Sequence, residues 1–222
     1  LLRFITMKIT EWRLFYSITF LREDGFFDFD INPALHYCLA GKRDKIKSKL
    51  VAERIMNIPR LNFAHLPTQI EELPRLTTVL GGPRILVKRD DQTGLAFGGN
   101  KTRKLEFLVA EAREQGADML ISAGAIQSNH CRQTVAAAAR FGFDCKLVLT
   151  GERPNQPSAN FLLDQLFGAE IITVPDRKDR DRILRETFDN AVAAGKKPYL
   201  VPYGGSSPTG AMGYAFAMEE FM

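Results

Sequence analysis

Gly98-Gly99-Asn100-Lys101-Thr102-Arg103-Lys104-Leu105-Glu106-Phe107 is the stretch on which the reading of this chain turns. Paired glycines let the backbone take positive φ and approach a ligand closely. Asn100 then stands where a helix cap is expected, with free N–H groups in the turn that follows. The run Lys101–Gln115 places Leu105, Leu108, Val109 and Ala112 at helical spacing. A lysine at such a junction is either a solvated side chain beside a turn or an amine that burial makes nucleophilic. Lys104, one turn on and on the same face, is the second candidate amine.

Downstream the pattern is regular. Strands are expected at Ile85–Lys88, Asp118–Ser122, Cys145–Thr150, Ile171–Val174 and Tyr199–Pro202. Between the later ones, helices are expected over Asn129–Phe141, Ser158–Phe167 and Arg177–Ala194, and a last helix follows Gly204-Gly205-Ser206-Ser207 to the end of the sequence. Strands alternating with helices of ten or so residues predict an α/β fold, an open parallel sheet with helices on both faces. Ligands in such sheets sit at the carboxyl ends of the strands. That rule selects three loops: Gly94–Lys101, Gly124–His130 and Tyr203–Gly210.

In the second loop, Ser128 precedes a helix whose N-terminus suits a carboxylate, with the Ser128 hydroxyl as a further donor; a plain N-cap is the alternative. The third loop could cradle a phosphate or a cofactor ring, but it lacks the Lys-Ser/Thr ending of a nucleotide-binding P-loop. Asp90-Asp91, with Arg89 beside them, read as a structural pair on a strand end. His36 and His65 have no ligand partners at useful spacing. Cys131 and Cys145 read as small core residues. Three cysteines without metal-ligand spacing argue against a disulfide framework or a zinc site and for a reducing, cytoplasmic compartment.

The net charge of +4 lies wholly in residues 1–60, which hold 11 basic and 7 acidic residues, including Lys42-Arg43, Lys45, Lys47 and Lys49. Without interleaved aromatics this reads as a solvated face, not a nucleic-acid surface. No run is long and apolar enough for a membrane span or shaped like a signal peptide. Residues 1–60 carry the single Trp12 and six of the sixteen phenylalanines with no clear period. Two readings stay open: upstream sequence that does not belong to the protein proper, or an accessory segment helical around Lys42–Ile55.

The first-loop stretch, followed by Ala123-Gly124-Ala125-Ile126-Gln127-Ser128-Asn129-His130 with Arg132-Gln133-Thr134, resembles the D-cysteine desulfhydrase/1-aminocyclopropane-1-carboxylate deaminase family. These are tryptophan-synthase-β-like, fold-type-II enzymes that use pyridoxal 5'-phosphate. The likeness covers roughly Leu61–Met222 and includes Leu86–Asp91 and Pro202–Gly205. It implies a division into residues 61–97 (start of a large domain), 98–210 (a small α/β domain with the cofactor lysine) and 211–222 (return to the large domain).

By the same resemblance Lys101 is the Schiff-base lysine and, with Ser128, catalytic. Asn129 hydrogen-bonds the phenolic oxygen of the cofactor, Gly204 and Gly205 line it, and Ser128, Asn129 and His130 meet the substrate. No metal is implied. The expected reaction is desulfhydration of D-cysteine to pyruvate, sulfide and ammonia. The Lys101 amine would remove the α-proton while the pyridine ring holds the charge. Deamination of 1-aminocyclopropane-1-carboxylate and a cysteate-type sulfo-lyase reaction are the alternatives. His130, where deaminase-type members tend to carry glutamine, leans toward the desulfhydrase type. A non-catalytic small-molecule module and an interaction module built on the basic segment are readings of other classes. The expected partners are a small amino acid and, in a full-length protein, a second copy of the chain. The family's glycine-rich phosphate loop, pyridine-nitrogen partner and catalytic tyrosines come later than these residues, so residues 1–222 alone are expected to bind the cofactor poorly.

Overall fold

The computed structural model describes residues 58–221 and, upstream of them, the backbone of one short strand. That strand is β1 (Ile18–Phe20). The expected helix around Lys42–Ile55, Trp12, His36 and Cys38 lie outside the described residues. From residue 70 onward come β2 (Ile70–Glu72), α1 (Pro74–Leu80) and β3 (Ile85–Lys88), then 3-10 turns at Asp90–Gln92 and Leu95–Phe97. There follow α2 (Lys101–Glu114), β4 (Met119–Ala125), α3 (Asn129–Phe141), β5 (Asp144–Thr150), α4 (Ala159–Leu166), β6 (Glu170–Val174), α5 (Arg177–Ala193) and β7 (Pro198–Leu200). A 3-10 turn at Tyr203–Gly205 leads into α6 (Pro208–Ala217), and a further 3-10 turn spans Met218–Phe221.

Four strands form a parallel sheet in the order β6-β5-β4-β7. The register sets Met119 opposite both Asp144 and Pro198, and Lys146 opposite Glu170. Alternation along the strands then decides the layers. Leu120, Leu147 and Leu149 face a core shared with Leu105, Leu108 and Val109 of α2, Val135 and Ala138 of α3, and Phe161 of α4. Met119 and Ile121 face the opposite way, onto Leu184, Phe188 and Ala191 of α5. Helices therefore cover both faces, as the alternating pattern predicts.

Helix ends follow their chemistry. Asp176 caps α5 by accepting from the Lys178 and Asp179 amides at 2.6 and 3.2 Å. Ser207 caps α6, with Pro208 in its first turn. The expected last helix does not run through: α6 stops at Ala217 and the backbone tightens into the 3-10 turn.

A second, antiparallel sheet of order β1-β3-β2 was not part of the expected fold. Pro74 opens a helix there, α1, where its fixed φ suits the first helical turn. Asp90-Asp91 sit on a 3-10 turn and not on a strand, but their structural role holds. Arg89 clasps Asp91 and Glu71. Asp90 takes two hydrogen bonds from Arg103, a guanidinium only 1% exposed, which also pairs with Glu220 at 2.6 Å. Lys88 pairs with the same Glu220 at 2.5 Å. Burial pushes the Glu220 carboxyl up, but the hydrogen bonds from Arg103 and Lys88 outweigh it and hold the group at about 2. This cluster ties β3, α2 and the last turn together.

Glu106, also buried, receives the Phe63 and Ala64 amides at 2.8 and 2.7 Å and the Arg60 guanidinium at 2.7 Å. Removing that carboxylate strands one buried donor, one half-buried donor and a cation. Glu106→Ala should lower unfolding stability by about 3 kcal/mol in denaturant titrations. Glu152→Ala, at an exposed position in the β5–α4 loop, should stay within about 0.5 kcal/mol of the parent.

Candidate active site

The three selected loops converge, and the first is the most constrained. Ala96, Phe97, Gly98 and Gly99 all have positive φ, at 47, 66, 72 and 131°. Glycine takes such values freely, whereas the alanine and the phenylalanine are strained there. Two side chains hold the run in place. Thr93, fully buried, donates to the Gly99 carbonyl at 2.7 Å and accepts from the Gly99 amide at 2.9 Å. Arg132 of α3 donates to the carbonyls of Ala96 and Gly98. Asn100 makes no side-chain cap, contrary to expectation. Its φ and ψ of −63 and −15° are already helical, so its side chain does not reach back over the first turn as an extended cap residue would.

Lys101 follows as the first residue of α2, half-buried. Its amine lies beside the third loop: a methyl built on Gly204 would sit 3.8 Å from Nζ. Gly204 has φ of +63°, and its missing side chain leaves that space to the amine. Among the described residues the Lys101 amine has no hydrogen-bond or ion-pair partner, and burial lowers its pKa. Lys104 is different. Its amine donates to the Gly204 carbonyl at 3.2 Å and approaches Ser206 Oγ at 3.4 Å, so it is committed to the third loop. Its pKa is lowered by burial and then by the charge of Lys101.

In the second loop, β4 runs on past Ser122 to Ala125, so the turn is tighter than the expected strand end implies. Ser128 caps α3 by accepting from the Cys131 amide at 3.2 Å. The plain cap reading is thus correct, and the Ser128 hydroxyl also hydrogen-bonds the Cys131 side chain. Asn129 Oδ1 accepts from Asn160 Nδ2 at 2.9 Å and from Arg132 at 3.3 Å. Its amide NH₂ is uncommitted among the described residues.

His130, expected among the substrate contacts, lies beneath the mouth and not in its wall. It is 3% exposed, with Nε2 at 3.1 Å from Ser122 Oγ, and Ser122 donates to the Val201 carbonyl. The reason is α3 itself: the position two past the cap turns toward the sheet. Burial, reinforced by the charges of Lys101 and Lys104, holds His130 at about 3, so the ring is neutral. Cys131 and Cys145 are buried core residues, as expected, and burial pushes the Cys131 thiol up to about 12. His65 packs its ring against Gly94. Among the described residues no group of three or more His, Cys, Asp or Glu side chains could hold a metal ion.

An uncommitted amine, an uncommitted amide donor and a glycine wall fit a cofactor joined to lysine, and comparison with known proteins agrees. The pattern of the pyridoxal-phosphate dependent enzymes matches residues 61–222. The chain belongs to that family. It is 48% identical over 173 residues to D-cysteine desulfhydrase of Salmonella typhimurium, a match covering 75% of this chain and 52% of that protein. The D-cysteine desulfhydrase of Salmonella typhi matches at 48% over 175 residues, 76% of this chain and 52% of that one. A solved structure of an ACC deaminase homologue superposes with a TM-score of 0.71 at 37% identity, covering 77% of this chain and 52% of the other. Apo diaminopropionate ammonia lyase of Escherichia coli, at 21% identity and a TM-score of 0.52 over 80% and 50% of the two chains, shares the fold. The chain spans about half the length of the curated relatives it matches. Members of this family depend on pyridoxal phosphate; the Lys101 amine, the Asn129 NH₂ and the open side of Gly204 are groups that could meet it, whereas Gly205 is buried against Lys104 and Leu108. No helix among the described residues is long and apolar enough to cross a membrane.

Two contributors escaped sequence reasoning, both on α4. Asn160, in the first turn of α4, reaches across to Asn129 at the start of α3. Asp164, fully buried, has no hydrogen-bond partner on either oxygen among the described residues. A charged residue on the inward stripe with Phe161 is the signal that could have flagged it. Burial raises the Asp164 carboxyl to about 7, against the opposing pull of Arg132. A carboxyl whose pKa rises on folding stabilises below its unfolded value near 4 and loses that contribution as pH climbs through 7. Relative to Asp164→Asn, the parent should therefore lose on the order of 3 kcal/mol of stability between pH 4 and 8. Denaturant titrations across that range check this; parallel curves for the two proteins would contradict it.

Proposed function

We propose that this chain supplies the lysine-bearing part of a pyridoxal-phosphate-dependent lyase acting on a small amino acid, with D-cysteine as substrate and pyruvate, sulfide and ammonia as products, one water being consumed. The observation that carries the reading is the Lys101 amine: half-buried, unpartnered among the described residues and turned toward Gly204. The 48% identity to D-cysteine desulfhydrases favours that substrate over the ring-opening deamination suggested by the structural neighbour.

Bound pyridoxal phosphate supplies an electron-poor ring that stabilises negative charge at a substrate's α-carbon. The protein's part is placement and proton handling. Burial raises the uncharged fraction of Lys101, so its amine can accept the α-proton. The Ser128 hydroxyl and the amides opening α3 orient the substrate carboxylate. Asn129, whose Oδ1 already accepts from Asn160 and Arg132, would offer its NH₂ to the phenolic oxygen of the bound cofactor. His130 stays neutral under the mouth, so no third positive charge crowds the two lysines. Lys104, tied to Gly204 and Ser206, keeps the third loop against α2.

The division at residues 98–210, with the lysine on a small α/β domain, belongs to the same proposal. So do a homodimeric full-length protein and a cytoplasmic setting, the latter supported by the two free, buried cysteines.

Borohydride reduction of the complete protein loaded with pyridoxal phosphate should leave a stable pyridoxyl group on Lys101, mapped by peptide mass spectrometry. Lys101→Ala should abolish the adduct and reduce sulfide release from D-cysteine by at least about a thousandfold. An adduct on Lys104, or none, would overturn the proposal.

A further inference from the structure

Asn129 is an amide, and an amide serves as donor or acceptor according to which way it is turned. Here the surroundings dictate the turn. The Gln127 carbonyl can only accept, and Asn160 Nδ2 lies 2.9 Å from it, which fixes the NH₂ of Asn160 on that side. The same NH₂ then lies 2.9 Å from Asn129 Oδ1. Arg132, which can only donate, reaches that oxygen at 3.3 Å while anchored on the Gly98 carbonyl. Two donors of independent origin thus converge on one oxygen, and the Asn129 NH₂ is left on the other side. Asn160 is itself secured, its backbone amide donating to Gln127 Oε1 at 2.9 Å. It stands next to Ala159, whose φ of +47° is strained for an alanine.

We propose that Asn160 is a positioning residue that turns the Asn129 amide so that its NH₂, and not its oxygen, faces the mouth beside Lys101. The inference rests on the reading of Asn129 as a donor to the cofactor's phenolic oxygen. It adds α4 to the elements that tune the site, through one side chain that itself touches neither cofactor nor substrate.

The test uses the complete protein loaded with pyridoxal phosphate and reads cofactor affinity and the pH titration of its visible absorbance. Asn160→Asp replaces the donor by an acceptor, which draws the Asn129 NH₂ inward and leaves its oxygen facing the phenolic oxygen. Cofactor affinity should fall at least about tenfold, and the absorbance titration should shift toward higher pH. Asn160→Ala, which removes the donor without adding an acceptor, should weaken binding by only about two- to threefold, because Arg132 still holds the oxygen. Adding Asn160→Asp to Asn129→Ala should cause no further loss. Equal effects of the two Asn160 variants, or losses that simply add in the double variant, would overturn the inference in favour of a purely structural latch. Asn129→Ala separates the two levels. If it leaves affinity and absorbance unchanged, the reading of Asn129 fails; if it weakens both while Asn160→Asp matches the parent, only the role of Asn160 fails.

Discussion

The left-handed run from Ala96 to Gly99 is the constraint on which the site depends. Four successive residues at positive φ turn the chain sharply before α2, and so set where Lys101 starts and where its amine points. Only two of the four are glycines. The run is gripped from two sides: Thr93 bonds both backbone groups of Gly99, and Arg132 from α3 donates to the carbonyls of Ala96 and Gly98. The price is strain of order 1–3 kcal/mol per non-glycine residue. What it secures is a helix start tied to the neighbouring helix through Arg132.

Electrostatics then divides labour between side chains that look alike in sequence. Lys101 and Lys104 share a helix face, yet one amine is spoken for by Gly204 and Ser206 and the other is not. Each lies partly out of water, and Lys104 is further destabilised as a cation by its neighbour. Beneath them the neutral His130 adds no charge. Asp164 lies deeper still and acts on Arg132 from a distance, without a direct hydrogen bond on either oxygen among the described residues. The result is a mouth whose charged groups are few and whose uncommitted donors, on Lys101 and Asn129, sit at the first residues of α2 and α3.

Much of this was legible in the sequence for physical reasons. Short continuous apolar runs mark the strands of the parallel sheet because both its faces are covered, and period-3.6 patterns mark its helices. Glycine pairs mark the loops because no other residue takes those angles cheaply. The antiparallel sheet was not legible, since Ile18 pairs with Val87 across a long stretch of chain and three-residue strands carry no period. Asn100 misled because residue type suggests a cap whereas the preceding turn decides its backbone angles. His130 misled because a motif places a residue along the chain but not on a face of its helix. Asn160 left no mark at all: its role exists only once α4 has folded back onto the loop before α3.

The central claim is that Lys101 presents an amine that burial has made easy to deprotonate. Competitive labelling of amines across a pH series, read lysine by lysine by mass spectrometry on the cofactor-free complete protein, tests it most directly. The account predicts that Lys101 becomes reactive at clearly lower pH than Lys178, whose side chain lies on the exposed start of α5. A Lys101 that titrates together with Lys178 would contradict it.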